Sequence, residues 1–249
     1  MGKLYSDLAE VYEAMYKTFI DYKEESIFYS EILRKYNKKS VLEIGSGTGD
    51  LASYFKEGGY EYSGLDLSKE MIHIAKRKLP DCTFLEGDMR SFELGKPVES
   101  VIMTGRTISY LISNNDVNET FKNIHANMEM GGIFCFDFID ANRFIPEILK
   151  DGEVIHEANN NHIKYVREGK WELKLKEGMD LIWTAKYSKE VNGELVEIGK
   201  DTSTVRTFTK DELKIFLTIN SFEIKEIINR ASYAFPTYVI VAEKKASFE

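Results

Sequence analysis

Cysteine is scarce in this 249-residue sequence: Cys82 and Cys135 are the only two, far apart and without Cys-x-x-Cys spacing. Each sits in an apolar, strand-like run, a pattern of free thiols in a reducing compartment that leaves no thiolate zinc site. Positive charge is in deficit, with 33 Lys and Arg against 41 Asp and Glu. The net charge of -8 opposes the counterion release that drives general binding to nucleic acid. No apolar stretch approaches the roughly 20 residues of a membrane-crossing helix. None near the start has the form of a signal peptide, so the expected location is the cytoplasm, with neither membrane nor nucleic acid as a partner. The segment Met1 to Ser6 meets the bare myristoylation pattern, but no polybasic stretch follows to supply the second anchor that stable attachment requires. The four histidines do not group with carboxylates as a metal site would need, so no metal is expected.

What is present is an ordinary globular composition, 43% hydrophobic and 30% charged, in a chain long enough for one main domain with an elaboration. From about residue 40, strand-like and helix-like segments alternate, the pattern of a parallel sheet with crossover helices. Strands are expected at Ser40 to Ile44, Tyr60 to Leu65, Cys82 to Leu85, Ser100 to Thr104 and Ile133 to Phe138. Helices are expected over Leu51 to Lys56, after the cap Ser68, and from Asn115-Asp116 to about Met128. Between 152 and 207 the pattern changes to short alternating runs with turn signals at Glu177-Gly178 and Asn192-Gly193, which predicts an inserted antiparallel sheet. The α/β pattern then returns, with a helix capped by Thr209 and strands at Phe222 to Ile228 and Thr237 to Ala242. The expected division is a main domain over 1–151 and 208–249 and an inserted subdomain over 152–207.

The most informative segment is Val41 to Gly49, an apolar strand that reaches Glu43 just before a Gly45-x-Gly47-x-Gly49 turn. Such a turn lets backbone lie against an adenosine-type cofactor. A dinucleotide fingerprint needs a small residue three places after its second glycine, for close packing of helix and strand. That place is Asp50, whose charge would also oppose a pyrophosphate at the helix mouth, so NAD is not the expected cofactor. Asp66 ends the second strand, 21 residues after Gly45, where a carboxylate can accept from both ribose hydroxyls. Asp88, in Glu86-Gly-Asp-Met-Arg90, can accept from an exocyclic amine, and Met89 can cover the face of a base. Glu43, Asp66 and Asp88 thus emerge at one edge of the sheet in successive strands.

In order and spacing, Val41 to Gly49, Gly64-Leu-Asp-Leu-Ser-Lys-Glu-Met71, Gly87-Asp-Met-Arg90 and Gly131-Gly-Ile-Phe134 resemble the class I S-adenosylmethionine-dependent methyltransferases. The resemblance implies a Rossmann-like, seven-stranded, mostly parallel sheet with helices on both faces and an antiparallel last strand. It implies S-adenosyl-L-methionine as cofactor, with the glycine turn at Gly45, Gly47 and Gly49 holding its methionine end. Asp66 falls to the ribose and Asp88 with Met89 to the adenine, and Tyr22, Glu43, Leu67, Met71 and Thr104 are further candidate cofactor-binding residues. The run Leu79 to Gly95, with Val11-Tyr12-Glu13 and Asp21-Tyr22, resembles small-molecule enzymes that include amino-sugar N-methyltransferases. In that group a tyrosine matching Tyr12 lies near the acceptor, which makes Tyr12 the candidate catalytic residue. Two positions depart from the pattern: Asp137-Phe-Ile-Asp140 stands where those enzymes carry Pro-Trp-Trp, and Arg106 where small polar residues are common.

No Asn/Asp-Pro-Pro-Tyr/Phe motif follows the fourth strand and no Pro-Cys pair offers a thiolate, which argues against base methylation. Transfer of a methyl group from a sulfonium needs alignment in a dry pocket more than strong acid/base chemistry, so no catalytic triad is required. His73 and His125 fall in expected helices and read as surface or packing residues, while His156 and His162 lie in the insert, where one can serve as a base. The expected function is methyl transfer to an N or O atom of a small-molecule acceptor, the alternative being a non-catalytic cofactor-binding or regulatory protein of the same fold. The insert is expected to cover the acceptor side of the cleft or to join two copies as a homodimer.

Overall fold

Strand β1 (Ser40–Ile44) divides its side chains between two apolar layers: Leu42 and Ile44 enter one, Val41 the other. The same division recurs in β5 (Met128–Phe138), where Phe134, Phe136 and Phe138 face one side and Ile133 and Cys135 the other. Strands apolar on both faces need cover on both. In the computed structural model, which describes residues 11, 15, 16, 18, 20–160, 163–175, 179–231 and 236–247, helices supply it. Helices α1 (Tyr22–Lys35), α2 (Ala52–Glu57) and α3 (Lys69–Lys78) cover one face through Leu33, Phe55 and Ala75. On the other, α4 (Asn114–Ala126) and, after α5 (Ala141–Ile148), α6 (Lys210–Ile219) contribute Phe121, Leu213 and Leu217.

The remaining strands of this sheet are β2 (Glu61–Asp66), β3 (Thr83–Glu86), β4 (Val98–Met103), β10 (Phe222–Ala231) and β11 (Pro236–Lys244). Their order is β10-β11-β5-β4-β1-β2-β3, and β11 runs antiparallel to both of its neighbours. The strand order reverses between β1 and β4, which leaves a crevice at their carboxyl ends where ligands of open α/β sheets bind. A second, four-stranded antiparallel sheet follows β5, in the order β6 (Glu153–Asn160), β7 (Ile163–Leu175), β8 (Met179–Val191), β9 (Glu194–Thr207). Asn192 and Gly193, at φ 53° and 83°, make the tight turn between β8 and β9 that Asn-Gly predicts.

The chain enters and leaves this second sheet side by side. Phe208 N–H donates to Ile139 O and Ala141 N–H to Phe208 O, each at 2.9 Å. The exit is pinned by Arg206, which is fully buried. Its guanidinium donates to Glu212, to Asn114 Oδ1 at 2.5 Å and to Ile112 O at 3.3 Å. Two local features differ from the sequence reading. Helix α4 starts at Asn114, because Ser113 and Asp116 form a reciprocal capping box. Helix α5 was not anticipated; Pro146 lies inside it and reads in sequence as a breaker. Among the described residues, no helix is long and apolar enough to cross a membrane.

Candidate active site

The turn after β1 is held by its own backbone. Gly45 and Ser46 N–H donate to Leu65 O at 2.8 and 3.0 Å, and Gly49 N–H to Ser46 O at 2.9 Å. Gly45, Gly47 and Gly49 have φ of 78°, 52° and 77°, a region that penalises any side chain. At Gly47 nothing lies within 4 Å of where a Cβ would stand, so ligand atoms can rest directly on main chain there. Gly49 serves differently. It does not line the cleft, and an added Cβ would come within 2.8 Å of the Phe84 ring, so its role is to let the turn pack closely.

The three acidic side chains converge as expected, each with its own support. Glu43 is buried; its Oε2 accepts from the Tyr62 hydroxyl at 2.5 Å and its Oε1 from Thr104 Oγ1 at 3.4 Å. Burial pushes its carboxyl up to about 8, against the opposing effect of those two bonds. Asp66 accepts from Gly47 N–H through Oδ2 and from Ser68 N–H through Oδ1, both at 2.8 Å. Burial raises its carboxyl despite these bonds. Asp88 is held by Arg90, whose Nε and Nη2 reach it at 3.0 and 2.6 Å while Nη1 bonds Asp116 at 2.9 Å. Those bonds hold Asp88 below the usual carboxylate range. Sequence reasoning missed this Arg90–Asp116 brace. Asp50 accepts from Thr48 Oγ1 at 2.6 Å and faces Lys78 at 3.5 Å.

A single cleft of about 870 Å³ gathers Tyr22, Glu43, Gly45, Gly47, Asp66, Leu67, Met71, Asp88, Met89 and Thr104. It continues past the turn at Gly105 and Arg106, both in the left-handed region at φ 64° and 61°. Arg106 N–H donates to the buried Asp137 at 2.7 Å, and burial pushes the Asp137 carboxyl up to about 6. Beyond lies the inner face of the second sheet, with His156, Arg167, Trp171, Trp183 and Asp201. The insert thus forms one wall of the cleft. His156 Nε2 is 2.9 Å from Thr18 Oγ1, and burial lowers its pKa. Glu25, at the cleft edge of α1, pairs with Arg230 of β10 at 2.8 Å. Tyr12 and His162 lie outside the described residues. His125 packs edge-on against Phe222 and bonds Lys245 O, as a packing residue does. Among the described residues, no group of His, Cys, Asp and Glu forms a metal-binding cluster.

Residues 41–132 match the family described as "Methyltransferase domain". The chain is 30% identical over 145 residues to an uncharacterized methyltransferase of Oceanobacillus iheyensis, covering 55% of this chain and 67% of that protein. It is 28% identical over 173 residues to the dTDP-3-amino-3,4,6-trideoxy-alpha-D-glucopyranose N,N-dimethyltransferase of Streptomyces venezuelae, covering 66% of this chain and 71% of that enzyme. The crystal structure of DesVI from Streptomyces venezuelae superposes with a TM-score of 0.82 over 95% of this chain and 98% of that one, at 20% identity, a likeness of fold. With the glycine turn, the strand-end carboxylates and the sheet order already in place, the conclusion is direct: the chain belongs to the class I S-adenosylmethionine-dependent methyltransferases.

Proposed function

We propose that this enzyme transfers the methyl group of S-adenosylmethionine to the nitrogen of a small, sugar-like amine. The observation that carries this reading is the continuity of one cleft from the glycine turn to the inner face of the insert. The turn at Gly45 to Gly47 would hold the methionine end with Glu43 and Tyr22. Asp66 and Leu67 would hold the ribose, and Asp88 with Met89 the adenine. The relative from Streptomyces venezuelae, named for dimethylation of an amino sugar, supports the acceptor class. A net charge of -8 and a cleft of about 870 Å³ favour a small acceptor over nucleic acid.

When bound, the cofactor supplies a methyl carbon activated by its sulfonium: the amine lone pair forms the C–N bond as the C–S pair returns to sulfur. The protein aligns the acceptor and excludes water. The insert closes the acceptor end, and the turn at Gly105 and Arg106, fixed by Asp137, forms the wall between the two ends. The methylated nitrogen then releases a proton, which His156 on the cleft wall would receive.

The test is incubation with deuteriomethyl-labelled cofactor and a panel of amino-hexoses, read by mass spectrometry. Label on nitrogen, with one adenosylhomocysteine formed per transfer, is expected. Label on oxygen, or none from a protein that binds adenosylhomocysteine, would overturn the acceptor reading.

A further inference from the structure

The chain has two tryptophans, and Trp171 of β7 stands directly across from Trp183 of β8. Their ring centroids are 4.5 Å apart at 41°, and Phe144 meets Trp171 edge-on at 5.4 Å. Side chains alternate along a strand, so Arg167, Gly169 and Trp171 share one side of β7, the side that lines the cleft. Gly169 leaves a gap in that row. The indole of Trp183 crosses from the neighbouring strand into the gap, and an added Cβ at 169 would collide with its six-membered ring. The ring therefore rests against the sheet backbone, with Trp171 on one side and the Arg167 guanidinium 5.4 Å from its centroid on the other. Asp201, a buried carboxylate, lies one strand further, opposite Ala185, which itself pairs with Gly169.

Filling a core requires only apolar volume. Trp183 is 9% exposed, the rest of it packed with Met15 and Ala185, so the wall offered to the cleft is the uncovered part of its ring together with Trp171, flanked by a guanidinium and a carboxylate. Its face suits the C–H side of a saturated ring, and its charged neighbours suit hydroxyl and amine groups at that ring's edge. We infer that Trp183, seated over Gly169, is the platform on which the acceptor ring packs, and that Gly169 sets how deep the ring sits. The inference rests on the reading of the acceptor as a small sugar-like amine. It makes Gly169 a positioning residue, since it acts through the indole, and Trp183 a residue that touches the acceptor.

Both tryptophans lie in this wall, so tryptophan emission reports on it directly. In the Trp171→Phe variant, Trp183 is the sole emitter. Titrating the adenosylhomocysteine complex of that variant with glucosamine and with a 3-amino-3-deoxyhexose should give a saturable change in emission. Trp183→Phe should raise the KM of the methylated amine roughly tenfold or more, the scale of a lost pocket contact, while the Kd for adenosylhomocysteine stays at the wild-type value. Gly169→Ala should act in the same direction. Combined with Trp183→Phe it should add little, because the smaller ring removes the collision. A folded Trp183→Phe protein with wild-type KM, or an amine methylated at saturation without any change in Trp183 emission, would overturn the platform. If the wild-type enzyme methylates none of the amines, the acceptor reading fails separately. The emission titration then decides alone: a saturable change keeps the platform, and no change across the panel removes it.

Discussion

The two ends of the cleft are built from different materials. Around the glycine turn, the wall is main chain at positive φ, tied by Gly45 and Ser46 to Leu65 O, with carboxylates at the ends of three adjacent strands. On the insert, the wall is side chain: Trp171, Trp183, Arg167 and Asp201, brought together by the pairing of long antiparallel strands. A backbone wall tolerates little change and suits a ligand that stays the same. A side-chain wall on a separate sheet can be recomposed by substitution without disturbing the turn. The two ends should therefore fail independently, and each substitution below is a way to break or sharpen that separation.

The largest expected effect is on the joint between them. Arg206 is fully buried and ties the end of β9 to Glu212 and Asn114. Arg206→Met keeps volume but leaves those partners unmatched, and should cost about 3 kcal/mol in urea unfolding. A loss below the error of the measurement would show that the insert does not depend on this pin. Next in size, Asp66→Ala should weaken adenosylhomocysteine binding by about 1.5 to 3 kcal/mol and leave the KM of the acceptor unchanged. Calorimetry on the folded variant checks this, and an unchanged Kd would remove Asp66 from the cofactor end.

A smaller effect concerns pH. Burial raises Glu43 to about 8 and Asp137 to about 6 from ordinary values of 4.5 and 3.8. Both carboxyls hold their proton more tightly in the folded protein than in the unfolded chain. Their contribution is thus fully present at low pH and is lost as pH rises through the folded values, with a slope of at most about 1.4 kcal/mol per pH unit for each group. Glu43→Gln, which keeps an acceptor for Tyr62, should flatten the fall in stability between pH 4.5 and 8. An identical slope in the variant would contradict the assignment. The smallest expected change is Tyr12→Phe, with wild-type cofactor affinity and kcat reduced by a few-fold, the scale of one lost hydrogen bond. Wild-type turnover would make Tyr12 a packing residue.

The same contrast explains what the sequence made legible. The glycine turn, Asp66 and Asp88 could be read because their placement depends on spacing within one strand and the turn that follows it. Gly49 was only half read: its positive φ follows from the turn, but its packing against Phe84 depends on the neighbouring strand β3. The brace of Arg90 on Asp116 and the pairing of Glu25 with Arg230 join distant segments, so no local pattern announces them. Strand alternation showed that the insert is an antiparallel sheet. It could not show that Trp183 lies over Gly169, because that contact exists only in one register of β7 against β8. Helix α5 escaped because Pro146 obscures an eight-residue helix.

The separation of the two ends is tested most directly by hydrogen–deuterium exchange with and without adenosylhomocysteine. Protection is predicted in residues 44–50, 64–72 and 86–90, with strands β6 to β9 of the insert, all of which line the cleft, exchanging as in the free protein. Protection confined to the insert, with the glycine turn unaffected, would contradict the account.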